Sequence, residues 1–310
     1  MDSFKVTLPN NATLTGLVNK ADGNQPNRPS KYPLVVCLHG GTYTARYFHV
    51  DATYSASVQS NSLALPLVAI NRPGYGDSTS FFPIPKGSSY MEEYGIWLHR
   101  YILPTLWEEF GKPRNCNSIV LLCHSLGTPG AIVAAGMHAR EGAEASYPLA
   151  GMIASGFGCQ TTHSTSNSVA TPTEETPDSA VMPIAFKDNM MLPEGHCDPE
   201  IYRYSEELNH PMPVEERSCM RTVWRAKWKE MTGDVQAPVM FALAEHDGWW
   251  KGTAEHVQEF AAGFANSERV DGSLIIGAPH NLEMSYWAAG WYARCFGFAL
   301  ECAATFAQKR

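Results

Sequence analysis

The stretch of residues 118–130 constrains the fold most, because it joins an apolar, β-branched run to small residues through a single serine. We interpret its first part as a buried strand, Ser125 as the tip of a sharp turn, and the rest as a helix. Such a turn requires small residues two positions before and after its tip, where Cys123 and Gly127 stand. It exposes the Ser125 hydroxyl and leaves the backbone N–H of Leu126 free at a helix N-terminus. This predicts a nucleophile and half of an oxyanion hole.

The rest of the chain alternates between short apolar runs and helical patterns, which indicates a parallel sheet covered by helices. Besides residues 118–124, the segments that we predict as strands are 4–9, 13–18, 33–38, 65–70, 149–157, 237–244 and 273–276. The first two alternate polar and apolar residues on either side of Asn10 and Asn11, which predicts a hairpin. The helical patterns are residues 88–110, 129–140, 253–264 and 282–308. Pro104 predicts a kink or a break in the first helix. The chain therefore belongs to the α/β class.

The alternation stops at Gly158, so we expect an insertion at residues 159–233. The two flanking parts, residues 1–158 and 234–310, form one core in this interpretation. The first part of the insertion, residues 159–179, is rich in Thr, Ser, Pro and acidic side chains, which favours a mobile surface loop.

The later part of the insertion shows no strand pattern and two helical ones, at residues 199–208 and 214–231. The second helix carries an apolar face that includes Trp224 and Trp228. An apolar face of this kind packs against a core or lines a cleft beneath it. We expect some of these side chains to contact substrate.

Three motifs resemble those of the α/β-hydrolase superfamily. Cys-His-Ser-Leu-Gly around Ser125 resembles its nucleophile elbow, usually Gly-x-Ser-x-Gly, with Cys123 replacing the first glycine. Residues 39–42 (His-Gly-Gly-Thr) resemble its His-Gly motif. Residues 71–78 (Asn-Arg-Pro-Gly-Tyr-Gly-Asp-Ser) resemble its Asp-Arg-Pro-Gly-x-Gly-x-Ser loop, with Asn71 in place of the first Asp. We interpret the latter as a structural turn at the sheet edge. The resemblance implies an eight-stranded, mostly parallel sheet flanked by helices, with a helical cap inserted after the sixth strand.

Three polar residues each follow a predicted strand, and active sites of open α/β sheets form at the carboxyl ends of strands. They are Ser125, Asp247 and His280, in the chain order that α/β-hydrolases use for a catalytic triad. His280 would take the serine proton, and Asp247 would orient and stabilise the imidazolium. Glu245 is an alternative, because it lies on the same strand end and on the same face by the two-residue period. The resemblance favours Asp247.

The resemblance also assigns the second amide of the oxyanion hole, beside that of Leu126, to Gly41, with Thr42 as the next candidate. A tight turn between strand and helix would explain the same glycines. The side chains that we expect near substrate are Thr42, Tyr43, His124, Trp224, Trp228 and Trp249. His39 and His124 flank the two loops, where each could touch substrate or brace its loop by a hydrogen bond.

The amino-acid composition and charge argue against several classes of binding partner. A formal net charge of −8 without a cluster of Lys and Arg argues against nucleic acid and anionic membranes. No apolar run is long enough for a membrane span, and the first residues lack a signal-peptide pattern, so we expect a cytoplasmic protein. The motifs that bind zinc, phosphate or dinucleotides are absent, so we expect no metal and no cofactor. The expected partner is a small molecule with an apolar acyl group. The sequence leaves open whether the chain forms an oligomer.

These features favour a serine hydrolase that cleaves an ester, lactone or thioester through an acyl-enzyme. A serine nucleophile argues against epoxide and haloalkane chemistry, for which similar proteins use Asp. Two alternatives keep the triad, namely hydrolysis of a carbon–carbon bond next to a carbonyl and acyl transfer to an alcohol or amine. A third alternative is a receptor of this fold that binds a ligand with little turnover.

Overall fold

The computed structural model describes residues 1–20, 29–162, 174–175 and 178–309. The strands in these ranges are β1 (Asp2–Thr7), β2 (Thr13–Asn19), β3 (Pro33–Leu38), β4 (Leu67–Ile70), β5 (Ser118–His124), β6 (Leu149–Ser155), β7 (Glu174–Glu175), β8 (Ser179–Val181), β9 (Met212–Pro213), β10 (Val239–His246) and β11 (Val270–Pro279). Most of the predicted surface loop at residues 159–179 lies outside the described residues.

Eight strands form one sheet in the order β1-β2-β4-β3-β5-β6-β10-β11. β1 and β2 form the predicted antiparallel hairpin, and β2 also pairs antiparallel with β4. All further pairs, from β4 to β11, are parallel. β3, β4, β5 and β6 are buried along their whole length, as expected for continuous apolar runs. The predicted α/β class and the eight-stranded, mostly parallel sheet are confirmed.

Helices flank this sheet. They are α1 (Ser57–Ser62), α2 (Tyr90–Trp97), α3 (Leu103–Leu106), α4 (Thr128–Glu141), α5 (Ile184–Met191), α6 (Val214–Cys219), α7 (Arg225–Gly233), α8 (Ala254–Gly263) and α9 (Ala288–Gln308). α9 packs against β3, β5 and β6, and α4 packs against β5, β6 and α2. The parallel strands all end at one edge, so the residues that follow β3, β5, β10 and β11 meet there.

The predicted helix at residues 88–110 does not break at Pro104. Its backbone stays helical because π-helical turns at Leu98–Ile102 and Trp107–Gly111 flank the short helix α3. A π turn changes the hydrogen-bond partner of each N–H by one residue, which lets the chain pass a proline without leaving the helix. The helical backbone continues past Pro104, which corrects the predicted break, whereas the predicted kink stays a prediction.

The segment between β6 and β10 contains strands as well as helices, which corrects the prediction that it has none. β7, β8 and β9 form a second, antiparallel sheet, in which Ala180 pairs with Met212. Each strand has only two or three residues. A pattern of period two cannot be recognised over so short a length, so no sequence pattern indicated these strands.

All eight cysteines lie within the described residues and carry free thiols, and seven of them are buried. Cys123, two residues before Ser125, is fully buried. None of the described helices combines the length and the apolar character that a bilayer crossing requires.

Candidate active site

The turn after β5 has the strained geometry that the sequence predicts. Ser125 has a φ of +48°, in the left-handed region that residues other than glycine rarely adopt. A Cβ atom on Gly127 would lie 2.3 Å from the carbonyl oxygen of Leu38 and 2.8 Å from that of His39. Only glycine therefore lets the turn pack against the end of β3, and this contact holds Ser125 at the carboxyl edge of the sheet.

Ser125, His280 and Asp247 form one hydrogen-bonded chain. The Nε2 atom of His280 lies 3.0 Å from Ser125 Oγ, and its Nδ1 atom lies 2.7 Å from Asp247 Oδ2. A carboxylate only accepts hydrogen bonds, so Nδ1 carries the proton and Nε2 accepts from the serine hydroxyl. His280 is fully buried, and Ser125 is 8% exposed. The structure thus brings together the three side chains that the sequence singled out.

The loop after β10 orients Asp247. Its Oδ1 atom accepts hydrogen bonds from the backbone N–H groups of Trp249 and Trp250, at 2.7 and 3.0 Å. The alternative carboxylate, Glu245, accepts from the backbone N–H of Gly277 at 2.7 Å and is exposed to solvent. Asp247 is therefore the carboxylate that contacts the imidazole of His280.

The loop after β3 lies directly against the serine. A Cβ atom on Gly40 would lie 3.0 Å from Ser125 Cβ, and one on Gly41 would lie 2.8 Å from the side chain of Leu126. Thr42 is fully buried with a φ of +66°, and its Oγ1 atom has no hydrogen-bond partner among the described residues. The loop after β3 therefore packs against the turn that carries Ser125, with Gly40 next to the serine and Gly41 next to Leu126.

His39 braces this loop, which is one of the two roles that the sequence allowed. Its Nδ1 atom donates to the carbonyl oxygen of Gly40 at 2.7 Å, and its Nε2 atom accepts from the backbone N–H of Arg72 at 3.1 Å. Complete burial, together with the nearby Arg72 guanidinium, lowers the pKa of His39 well below its ordinary value. The imidazole is therefore neutral and fixed in one tautomer.

His124 also has a bracing position. It lies fully buried beside His280, with 5.0 Å between the ring centroids, and stacks on Tyr47 at 4.4 Å. Its Nδ1 atom lies 3.0 Å from Ser155 Oγ and its Nε2 atom 3.1 Å from Asn281 Oδ1. Burial and the neighbouring His280 lower its pKa well below the ordinary value. These bonds occupy both ring nitrogens, so the prediction of substrate contact is not supported at this position.

Sequence reasoning missed Glu283, which lies behind His124. This fully buried carboxylate accepts from Ser155 Oγ at 2.6 Å, from Tyr47 Oη at 2.7 Å and from Trp291 Nε1 at 2.8 Å. Burial raises its pKa above the ordinary value. Two of its donors, on Tyr47 and Ser155, come from distant parts of the chain, so no local motif could have identified it.

Tyr43 lies beside the site and contacts a buried lysine. Its Oη atom accepts from Nδ2 of Asn281, the residue after His280, at 2.7 Å. The Nζ atom of Lys187, on α5, lies 4.3 Å from the centre of the Tyr43 ring and donates to the carbonyl oxygen of Leu208 at 2.7 Å. Burial lowers the pKa of Lys187 to about 7. Tyr43 is therefore held from both sides.

Two of the three predicted tryptophans, Trp224 and Trp228, are buried against other aromatic side chains. Trp224 donates from Nε1 to the carbonyl oxygen of Gly158 at 2.9 Å, and its ring contacts Phe157. Trp228 packs against Phe260 on α8. An apolar helical face does not specify what it packs against, and here both rings pack against aromatic side chains of the core. Contact of these rings with substrate stays a prediction. Trp249 stays partly exposed beside the Asp247 loop.

A cavity and a groove adjoin Tyr90, and neither is lined by Ser125, Asp247 or His280. A small cavity of about 10 Å³ is lined by Leu126, Tyr90, Tyr94 and Glu216 among others, and an open groove of about 850 Å³ lies between residues 82–89 and the α6 region. Tyr90 lines both spaces. Among the described residues, no three His, Cys, Asp or Glu side chains are grouped so that they could hold a metal ion.

Comparison with known structures shows the same fold. A monoacylglycerol lipase from Paleococcus ferrophilus superposes with a TM-score of 0.59 at 17% identity, covering 88% of this chain and 96% of the other. A putative lipase from Acinetobacter baumannii gives 0.61 at 12% identity, over 98% and 92%. A variant of an N-acyl homoserine lactonase in complex with N-hexanoyl homoserine gives 0.61 at 15% identity, over 97% of both chains. No curated protein matches this chain in sequence.

The model of one protein family covers most of the chain. It is described as the alpha/beta hydrolase family and matches residues 35–299. This range runs from β3 into α9, and therefore includes Ser125, Asp247 and His280. The chain belongs to the alpha/beta hydrolase family.

Proposed function

We propose that the protein is a serine hydrolase that cleaves an ester, lactone or thioester of a moderately apolar small molecule through an acyl-enzyme. The observation that carries the proposal is the hydrogen-bonded chain from Ser125 through His280 to Asp247, beside a loop in which Gly40 packs against the serine. Lipases, an esterase, a thioesterase domain and a lactonase are among the structurally similar proteins. Each of these names describes an enzyme that acts on an acyl compound.

In the first step, Ser125 Oγ attacks the carbonyl carbon while its proton passes to His280 Nε2, 3.0 Å away. The imidazolium that forms stays hydrogen-bonded to Asp247 through Nδ1. The carboxylate stabilises this positive charge and keeps the ring in the orientation that the reaction requires. His280 then gives the proton to the leaving alcohol or thiol.

The negative charge on the tetrahedral oxygen would be met by the backbone N–H groups of Leu126 and Gly41. In other enzymes, one donor of an oxyanion hole lowers the barrier by about 3 kcal/mol. Water then attacks the acyl-enzyme, with His280 as the base, and releases the acid. All groups in this mechanism are side chains or peptides of the chain itself.

The proposal includes a cap made of residues 159–233. Three contacts from this segment reach the site: His210 N donates to Thr42 O at 2.8 Å, Met191 O accepts from Asn281 N at 2.9 Å, and Met212 Sδ lies against Gly41. Because Met212 and Leu126 enclose Gly41, apolar atoms surround the acyl position, which favours an apolar acyl group.

A fluorophosphonate probe tests the proposal. We expect rapid labelling of the native protein and none of Ser125→Ala. Ser118→Ala is the matched control, because Ser118 is a buried serine at the other end of the same strand, and it should be labelled like the native protein. Absence of labelling in the native protein would contradict the proposal and favour a receptor.

A panel of an ester, a lactone, a thioester and a β-diketone then identifies the bond cleaved, and product analysis with added alcohol distinguishes hydrolysis from acyl transfer.

A further inference from the structure

Arg72 connects the two peptide segments that flank Ser125. Its guanidinium is fully buried at the loop after β4. Nη2 donates to the carbonyl oxygen of Gly40 at 3.1 Å, and Nη1 donates to the carbonyl oxygen of Leu126 at 3.3 Å. One side chain therefore holds both the loop after β3 and the turn after β5.

The bond to Gly40 determines where the next N–H points. A peptide unit is planar and trans, so the N–H of Gly41 points opposite to the carbonyl oxygen of Gly40. His39 Nδ1 donates to the same oxygen at 2.7 Å, and His39 is itself held by the backbone N–H of Arg72. Arg72 thus fixes this peptide twice, directly through its side chain and indirectly through His39.

The charge of Arg72 is balanced by a residue from the insertion. Glu216, on α6, is 3% exposed, forms an ion pair with Nη1 of Arg72, and accepts from the hydroxyl of Tyr75. A buried guanidinium without a partner would be strongly unfavourable, so Glu216 keeps Arg72 in the position from which it reaches Gly40. The two residues are 144 positions apart in the sequence.

We propose that Arg72 is a positioning residue for the oxyanion hole, and that Glu216 holds it there from α6. The inference rests on the proposed serine-hydrolase function and adds a condition to it. The N–H of Gly41 is aligned with the substrate carbonyl oxygen only while α6 is docked on the core. The Arg72 loop, which the sequence indicated as a structural turn, thereby acts on the reaction.

The variants must separate this role from a contribution to folding. Arg72→Met alone leaves the Glu216 carboxylate buried without a cationic partner and can fail to fold. In the double variant Arg72→Met/Glu216→Met, apolar side chains replace the whole ion pair, which is often neutral or stabilising. Arg140→Met is the matched control, because Arg140 on α4 pairs with Asp234 just after α7, but both side chains are about half exposed to solvent.

The test measures kcat, KM, the midpoint of urea unfolding and the inhibition constant of a trifluoromethyl ketone. Such a ketone adds to Ser125 Oγ, the serine proton passes to His280, and the ketone oxygen becomes an oxyanion in the hole. In the double variant we expect kcat to fall on the order of 10- to 100-fold, since small displacements of catalytic groups have effects of this size. KM should change little, and the ketone should bind more weakly by the same factor.

The outcomes distinguish the inference from the function on which it rests. If the native protein has no turnover that depends on Ser125, the proposed function fails. If turnover exists and the folded double variant keeps the native kcat and ketone affinity, the positioning role is wrong. A lower urea midpoint with unchanged kcat and ketone affinity would likewise overturn it, since it would leave the pair with a purely structural role. Arg140→Met should retain both kinetic values.

Discussion

His280 Nε2 lies 3.0 Å from Ser125 Oγ, although the two residues are separated by 155 positions in the sequence. Ser125 directly follows the parallel strand β5, and His280 directly follows β11, so the sheet itself brings the two residues together. A contact of this kind needs a second hydrogen bond to orient the ring, and Asp247 supplies it from the loop after β10. The geometry can be tested one atom at a time.

Asp247→Asn changes one atom of this chain. We expect kcat to fall about 10³- to 10⁴-fold, because an amide N–H facing His280 Nδ1 would force the imidazole proton onto Nε2, where it can no longer accept from Ser125. Steady-state kinetics on a reactive ester measures the loss, and circular dichroism checks the fold. Glu245→Gln, at the same strand end, is the control and should change kcat little. A large loss in Glu245→Gln with none in Asp247→Asn would reverse the assignment.

The meeting of Ser125, His280 and an acidic residue after β10 could be predicted because each belongs to a local pattern, an apolar strand followed by a polar turn. The choice of Asp247 over Glu245 and the role of Gly41 rested on the resemblance to the α/β-hydrolase superfamily. The carboxyl ends of parallel strands lie at one edge, so chain order alone brings such turns together. The same reasoning extends to the loop at residues 39–42, and to the eight-stranded sheet. In each case the sequence pattern that supports the prediction lies within about ten residues of the predicted feature.

The supporting residues could not be predicted, because their partners are distant and carry no pattern. Glu283 and Glu216 are single carboxylates in helical segments, and nothing local distinguishes them from exposed ones. Trp224 and Trp228 were identified as apolar, but an amphipathic helix does not specify which surface it covers. Periodicity therefore predicts that a side chain is buried, and tertiary packing decides whether it meets substrate or core.

Gly127→Ala should damage the turn. Its new Cβ atom would overlap backbone oxygens of Leu38 and His39, which cannot move without displacing β3. We expect a loss of unfolding free energy of about 3 kcal/mol or more, the range for severe overpacking, together with loss of fluorophosphonate labelling. Gly297→Ala, in the interior of α9 with no atom near the new Cβ, should instead stabilise by about 1 kcal/mol. Urea unfolding compares the two; equal effects would contradict the packing argument.

Glu283→Leu should destabilise the core behind the triad. The substitution leaves three buried donors, on Ser155, Tyr47 and Trp291, without their acceptor. Each unsatisfied donor costs about 1–3 kcal/mol, so we expect a loss of about 3 kcal/mol or more. Glu301→Leu removes an exposed carboxylate from α9 and should cost less than about 1 kcal/mol. Urea unfolding at neutral pH measures both, and similar losses would show that the buried network contributes little.

Lys187 should make the stability depend on pH in a defined direction. Burial lowers its pKa from 10.5 to about 7, so between these values the unfolded chain holds a proton that the folded protein has released. The unfolding free energy contributed by Lys187 therefore rises with pH across this window, by at most about 1.4 kcal/mol per pH unit. Lys187→Met lacks this contribution. The unfolding free energy of the native protein minus that of the variant should therefore increase by about 2 kcal/mol from pH 7 to pH 9. Urea unfolding at both pH values measures the change, with the exposed Lys227→Met as the control that should show none. A difference between Lys187→Met and the native protein that is the same at both pH values would mean that Lys187 stays charged in the folded state.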